Sequence, residues 1–256
     1  MDLIIIFARS FARIVGKVDA HAPGAVAPPG AVPVHWVADL FPPLSPRLFS
    51  VATLLPDKTS HAEAALGPQL STSNESTPHV ALEIAVAVVE YASAAGIRTL
   101  GQCSGWLRAS APRGTPLRFG IAPGTIPRIP AGVPLLAVCA GTGIAPVRAL
   151  LQQRYALGAA CGATMVVHGF RNKGVDDLFS AEMRAHAARG MRYFPLGSRD
   201  GAARRHVDAA LRADADAVRG LLSDSRAHVV VAGNAHLPAL VKRALAEVCG
   251  APLVSE

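Results

Sequence analysis

The chain is 256 residues long and carries a net charge of +7, with 51% hydrophobic and 5% aromatic residues. That length suits two modest domains with a sizeable core. No apolar run approaches the roughly 18 residues of a membrane span, aromatics are too scarce to stack nucleic-acid bases, and the four cysteines and nine histidines show neither disulfide nor zinc spacing.

The opening "LIIIF" (3–7) is too short for a secretory core and follows Asp2, while "ARSFARIVGK" (8–17) faintly resembles a transit peptide. A reduced, metal-free cytoplasmic protein is the plainer expectation. Residues 18–46 are rich in Pro, Ala and Gly and predict loop or extended chain. "RLFSVATLL" (47–55), "ALEIAVAVVEY" (81–91) and "PLRFGIA" (116–122) are strand-like, and the polar stretch 56–79 separates the first two. Residues 45–130 therefore predict an antiparallel, β-rich region.

Beyond "PRIPAG" (127–132) the pattern changes to alternating strands and helices. "LLAVCA" leads to a helix over 145–157, and "TMVVHGF" (164–170) to "DLFSAEMRAHAARG" (177–190). "MRYFPLG" (191–197) leads to a helical stretch over 205–224, and "HVVVAG" (228–233) to "LPALVKRALAEVCG" (237–250). Four βα units in succession predict a doubly wound parallel sheet with strands 135–140 and 228–232 in the same sheet. The domain limits read as 1–46, 47–130 and 131–256.

Ligands of such a sheet bind outside the carboxyl ends of its strands. Those ends carry "GTG" (141–143), "HGFR" (168–171), "GSRD" (197–200) and "AGNA" (232–235). Gly141 and Gly143 permit close backbone approach, Pro146 suits a first helical turn, and the helix N-terminus behind them aims free N–H groups outward, which suits phosphate. An ordinary βα turn has the same glycines, and the stretch is neither a Walker loop nor the three-glycine dinucleotide fingerprint. Ser198, Arg199, Arg204 and Arg205 form a hydroxyl-and-guanidinium cluster suited to a phosphate monoester. Residues 91–175 hold no Asp or Glu but eight arginines and Lys173, a field that attracts anions, nucleotide cofactors or an acidic protein before nucleic acid.

Taken in order, R-x-F-S, G-x-C-S-x-W-L, G-T-G-I-A-P, S-R and A-G-N-A resemble the ferredoxin–NADP reductase module, and more closely that module in NADPH-dependent diflavin reductases, over about residues 38–250. The resemblance implies a partial antiparallel FAD-binding barrel followed by an NADP-binding domain, and an oxidoreductase carrying electrons from NADPH through FAD to a flavin, iron–sulfur or haem acceptor. It implies that Arg47 meets the flavin pyrophosphate, Phe49 lies against the flavin ring and Ser50 hydrogen-bonds it. Tyr91 would stand on the neighbouring FAD strand, with Gly101, Gln102, Cys103 and Ser104 as the second FAD motif. Gly141, Thr142 and Gly143 would cradle the NADPH pyrophosphate. Arg171 would join the cofactor-binding set, and Ser198, Arg199 and Arg204 would grip the 2′-phosphate. Asn234 would sit beside the nicotinamide, and Ser50 and Asn234 would be the catalytic pair. No metal is implied. FMN enters only if a missing or separate domain supplies it, and the implied partner is an acidic flavodoxin-like or iron–sulfur protein.

The chain departs from the family pattern in places. His206 and Asp208 stand where the family has Tyr and Gln; His206 can stack on adenine, whereas Asp208 would repel a phosphate. Only 46 residues precede Arg47 and the chain stops at "APLVSE", which reads as an eroded or truncated module. Two rival readings remain. One is a nucleotide-binding module without catalysis. The other is a cysteine hydrolase built on "GQCSG" (101–105), with Cys103 as nucleophile and Asp200 and His206 as its partners.

Overall fold

The structure, a computed structural model, describes residues 2–6, 46–54, 81–92, 96–110, 114–156, 161–200 and 206–250, the first of these stretches by its backbone only. Arg204, Arg205, most of the N-terminal segment, the 56–79 stretch and the terminal "APLVSE" lie outside them. The chain divides into two units, one comprising Ile4–Phe49 and Val88–Ala122 and the other Met1–Leu3, Ser50–Ala87 and Pro123–Glu256.

In the smaller unit β1 (Asp2–Ile6) lies between β2 (Arg47–Ser50) and β5 (Phe119–Pro123) in a three-stranded sheet. A separate antiparallel pair joins β3 (Glu90–Ala92) to β4 (Arg98–Leu100), with Tyr91 opposite Thr99. Helix α1 (Gln102–Ser110) follows β4 directly and buries Cys103, Ser104 and Leu107, the one-sided spacing of an amphipathic helix. Neither this helix nor β4 was anticipated from sequence. "GQCSGWLR" carries two glycines and two small residues, a weak helical signal until the turn before it is pinned. The pin is a pair of backbone ties: Gly101 N–H donates to Val89 O at 2.7 Å, and Val89 N–H donates to Ser104 Oγ at 3.1 Å.

The two long strand-like runs, 47–55 and 81–91, are shorter as strands than their composition implies. Beyond β2, among the described residues, they meet at one antiparallel bridge, Val51 with Ile84, where Ala52 N–H donates to Glu83 O at 2.8 Å. Side chains satisfy the rest of the backbone there. Thr53 Oγ1 accepts the Glu83 N–H at 2.8 Å, Gln152 Oε1 accepts the Leu54 N–H at 2.9 Å, and Arg148 Nη1 donates to Ala52 O at 2.8 Å.

The larger unit is built on a four-stranded parallel sheet of order β8–β7–β6–β9, with β6 Leu135–Ala140, β7 Thr164–Phe170, β8 Arg192–Gly197 and β9 His228–Ala232. Leu135 stands in register with both Thr164 and His228, so the strands expected to share a sheet are direct neighbours. Along β6 the side chains alternate between two cores. Leu136 and Val138 pack with Met165 and Val167 against α4 (Val207–Ala213), α5 (Ala215–Leu222) and α6 (Leu237–Cys249). Ala137 and Cys139 pack with Val166 against Ile144, Val147 and Leu151 of α2 (Ile144–Ala156) and Met183 of α3 (Ser180–Ala188). A parallel sheet needs this cover on both faces.

Two helices differ from their sequence limits. The stretch 205–224 breaks at Asp214 (φ −112°, ψ 36°), because Asp competes for backbone partners inside a helix. α3 starts later than 177 because the chain before it is held in a loop, where Asp177 Oδ1 accepts the Gly174 N–H at 2.7 Å.

Candidate functional site

β6 and β9 are the point where the sheet reverses its winding. β7 and β8 were added on one side of β6, and β9 lies on the other. The crevice above the carboxyl ends of such a pair is the general ligand position of this architecture. Here it is flanked by Gly141–Gly143, a single 3₁₀ turn opening α2, and by Gly233-Asn234 after β9. The two turns interlock. A Cβ on Gly143 would overlap the Ala232 carbonyl and come within 3.0 Å of Gly233 N, so that position admits glycine alone. Gly141 sits at φ 55°, in the left-handed region. Pro146 is buried in the first turn of α2, where no acidic residue stands. Asn234 is exposed, with Oδ1 accepting the His236 N–H at 3.0 Å. Ser50, half-buried, precedes the segment that Arg148 and Gln152 tie down.

The next two strand ends are stitched together. Ser198 N–H donates to Phe170 O at 2.8 Å and Arg199 N–H to Arg171 O at 2.9 Å, so two exposed arginines rise from one rung. Asp200, beside Arg199 in the chain, accepts the Lys173 N–H through both carboxylate oxygens, at 2.9 and 3.0 Å. Asp208, expected to repel a phosphate, is 2.5 Å from Arg212 Nη1, and Arg212 also reaches Glu247. Burial pushes the Asp208 carboxyl up, but the Arg212 hydrogen bond outweighs it and holds it low. His206 is the exposed N-cap of α4.

In the smaller unit, against the larger effect of burial, the Arg47 charge pulls the Cys103 thiol down. Tyr91 is half-exposed on β3, and Gly101 and Gln102 form the entry to α1. Ser104 is buried, with its hydroxyl spent on Val89 N–H. The Cys103 thiol is also buried, and desolvation pushes it up despite Arg47. That is the opposite of what a nucleophilic thiolate needs. That environment disfavours Cys103 as the nucleophile of the hydrolase arrangement.

Residues that the motifs did not single out hold much of this together. Arg148, counted only as one cation among nine, pairs with Glu83 and Glu182 (Nε to Oε2, 2.6 Å) and lies over the Phe179 ring at 4.5 Å. Phe179 itself has φ 57°, rare for a bulky side chain. Arg154, fully buried, donates to Pro130 O, Val133 O, Gly162 O and Thr164 Oγ1 at 2.7–3.3 Å. Both cations are thus internal fasteners, not part of the outward field. Nothing in their local sequence signals this, because their partners lie on other segments, up to 96 residues away.

Comparison with known proteins first defines the class. Residues 137–243, a part of the larger unit, match the oxidoreductase NAD-binding domain. The chain is further similar to NADPH-dependent diflavin oxidoreductase 1. It is 33% identical to the Bos taurus protein over 215 residues, covering 82% of this chain and 32% of that one. For the Mus musculus protein the identity is 31% over 223 residues, covering 84% and 33%, and for the Cryptococcus neoformans protein 28% over 218 residues, covering 84% and 32%. The resemblance read from the motifs is borne out, and the chain spans about a third of the length of the curated relatives it matches.

Proposed function

We propose that this chain is the NADPH- and FAD-handling module of an electron-transfer oxidoreductase. The observation that carries the reading is the interlocked pair of glycine turns at the switch point of the parallel sheet, where a Cβ on Gly143 has no room. That cradle fits a dinucleotide: the backbone approaches closely, the N-terminus of α2 faces the crevice, and no carboxylate stands in its first turn. Gly141, Thr142 and Gly143 hold the pyrophosphate. Ser198, Arg199 and Arg204 take the 2′-phosphate, Arg171 belongs to the same cofactor-binding set, and His206 stacks on adenine. The commitment of Asp208 to Arg212 supports an NADPH preference, since that charge is already neutralised.

On the flavin side, Arg47, Phe49, Tyr91 and the backbone of Gly101–Ser104 hold FAD. Within the second motif the backbone N–H groups of Gln102 to Ser104 at the entry to α1 are the binding groups, since the Gly101 N–H is already given to Val89 O. Bound FAD supplies the hydride acceptor and releases electrons singly. The protein's own part is orientation: Ser50 steadies the flavin and Asn234 the nicotinamide. The electron acceptor is an acidic flavodoxin-like or iron–sulfur protein, in keeping with the acid-free 91–175 stretch. FMN belongs to such a partner or to a separate domain. A cytoplasmic location goes with the four free cysteines. Among the described residues no helix is long and apolar enough to cross a membrane.

The test is nucleotide affinity by calorimetry. Charge-assisted hydrogen bonds contribute about 1.5–3 kcal/mol each, so two of them give NADPH an advantage on the order of 10² to 10⁴ over NADH. Arg199→Ala should weaken NADPH strongly and NADH hardly at all. Equal losses for both nucleotides, or no binding by the unmutated chain, overturn the reading.

A further inference from the structure

The helix that opens at the nucleotide turn carries two side chains that the reading above does not use. Arg148 and Gln152 stand one turn apart on the same face of α2. Both reach the stretch that follows Ser50 in the chain. Arg148 Nη1 donates to Ala52 O at 2.8 Å, and Gln152 Oε1 accepts the Leu54 N–H at 2.9 Å. Ala52 is fully buried, and Ser50 stands two residues before it, no more than about 7 Å of extended chain. All of these residues belong to the larger unit.

A third side chain orients the first two. Glu182 of α3 accepts from Arg148 Nε at 2.6 Å through Oε2 and from Gln152 Nε2 at 3.1 Å through Oε1. With its amide nitrogen given to Glu182, Gln152 turns its carbonyl oxygen to Leu54. With Nε given to the same carboxylate, the guanidinium plane is fixed and Nη1 lies toward Ala52 and Glu83. The Arg148 side chain is 12% exposed, so these bonds form largely out of water, where they are stronger. A helix advances 1.5 Å per residue as a stiff rod. The Gly141–Gly143 cradle at its start and the clamp one to three turns further on therefore keep a fixed separation.

We propose that Arg148 and Gln152, oriented by Glu182, are positioning residues for Ser50: they hang the chain behind Ser50 on the helix that carries the pyrophosphate cradle, and so keep the flavin-side hydroxyl in register with the nicotinamide. The inference rests on the NADPH and FAD reading above. Neither side chain touches a cofactor; each acts through the backbone of 52–54.

The experiment is a double-mutant cycle on the full chain loaded with FAD. Gln152→Leu removes the Leu54 acceptor and leaves no charge unpaired. At saturating NADPH, flavin reduction followed by stopped-flow absorbance should slow roughly five- to fiftyfold. The visible absorption of the bound flavin should shift as it does in Ser50→Ala, while NADP⁺ affinity by calorimetry stays unchanged. In the Ser50→Ala background Gln152→Leu should add nothing, because it acts through that hydroxyl. The exchanged pair Gln152→Glu with Glu182→Gln keeps every bond of the clamp, with donor and acceptor reversed between the two side chains, and should recover most of the rate. An unchanged rate and spectrum in Gln152→Leu overturns the proposal, as does an exchanged pair that recovers nothing. A full further loss in the Ser50→Ala background, or a parallel fall in NADP⁺ affinity, marks a merely structural role and overturns it too. Should Gln152→Leu fail to fold, Gln152→Asn, whose amide stops one methylene short of Leu54, carries the same readings. Ser50→Ala with unaltered rate and spectrum overturns the role of Ser50, and an unmutated chain that binds no FAD overturns the flavin reading; either result takes this proposal with it.

Discussion

The two units treat apolar side chains in opposite ways. In the larger one, β6 buries Leu135 through Cys139 completely between two helical layers. In the smaller one, Leu48, Val89, Tyr91, Ile97, Phe119 and Ile121 are each about half exposed or more. Its strands are three to five residues long and lie in two separate sheets. Sheets of two or three short strands are marginal by themselves. The difference teaches that, among the described residues, stability is concentrated where the parallel sheet is, while those of the smaller unit present surface. Substitutions in the two units should therefore differ by an order of magnitude in cost.

The largest effect is expected at Arg154. Its guanidinium serves three carbonyls and a hydroxyl in a buried place, and Arg154→Met leaves those acceptors without donors. The larger unit should lose about 3–5 kcal/mol in urea unfolding. A loss below 1 kcal/mol would break the picture of an internally fastened core.

Acid is the next lever. His168 is held neutral down to about pH 4 by burial, whereas an unfolded histidine takes a proton near 6.5. Between those values the unfolded chain binds more protons, so stability falls as pH drops from 6.5 to 4, by roughly 3 kcal/mol at most. Below that, Glu182 continues the loss. Burial pushes its carboxyl up, but the His186 ring 3.9 Å away and hydrogen bonds from Arg148 and Gln152 bring it to about 2. His168→Phe should flatten the upper part of the profile and leave the lower part intact. An unaltered profile in that variant assigns the loss elsewhere.

Arg148→Ala should cost about 2 kcal/mol, since it strands Glu83 and Glu182 and frees Ala52 O and the Phe179 ring. The sharper readout is hydrogen exchange. The amides of Ala52, Glu83 and Leu54 should exchange faster while those of β6 and β7 stay protected. Uniform acceleration would mean that Arg148 supports the whole unit and not this one segment.

At the small end stands the smaller unit. Val89→Thr should change stability by no more than about 0.5 kcal/mol, because the side chain is already half in water. A cost comparable to that of Arg154→Met would erase the contrast between the units.

Much of the larger unit was legible in the chain. Apolar runs of five to seven residues, each followed by a helical period, set the limits of β7, β9, α2 and α6 to within a residue or two, because local hydrophobic periodicity and Gly–Pro punctuation are properties of neighbouring residues. Of the candidate site, the glycine turns and the Ser198-Arg199 end were legible for the same reason: each is a short motif at a strand terminus. What only the tertiary structure decided were interactions between distant segments. The interlock of Gly143 with Ala232 needs two strands that are adjacent only through the crossover order. The side-chain fastening of 50–54 by Arg148 and Gln152 turned a predicted long strand into a single bridge. The neutralisation of Asp208 by Arg212, the burial of Cys103 and Ser104, and the enclosure of His168 all follow from packing. A sequence read in windows sees an arginine, a thiol or an imidazole with its ordinary chemistry. Burial and partners from other elements decide whether that chemistry is available.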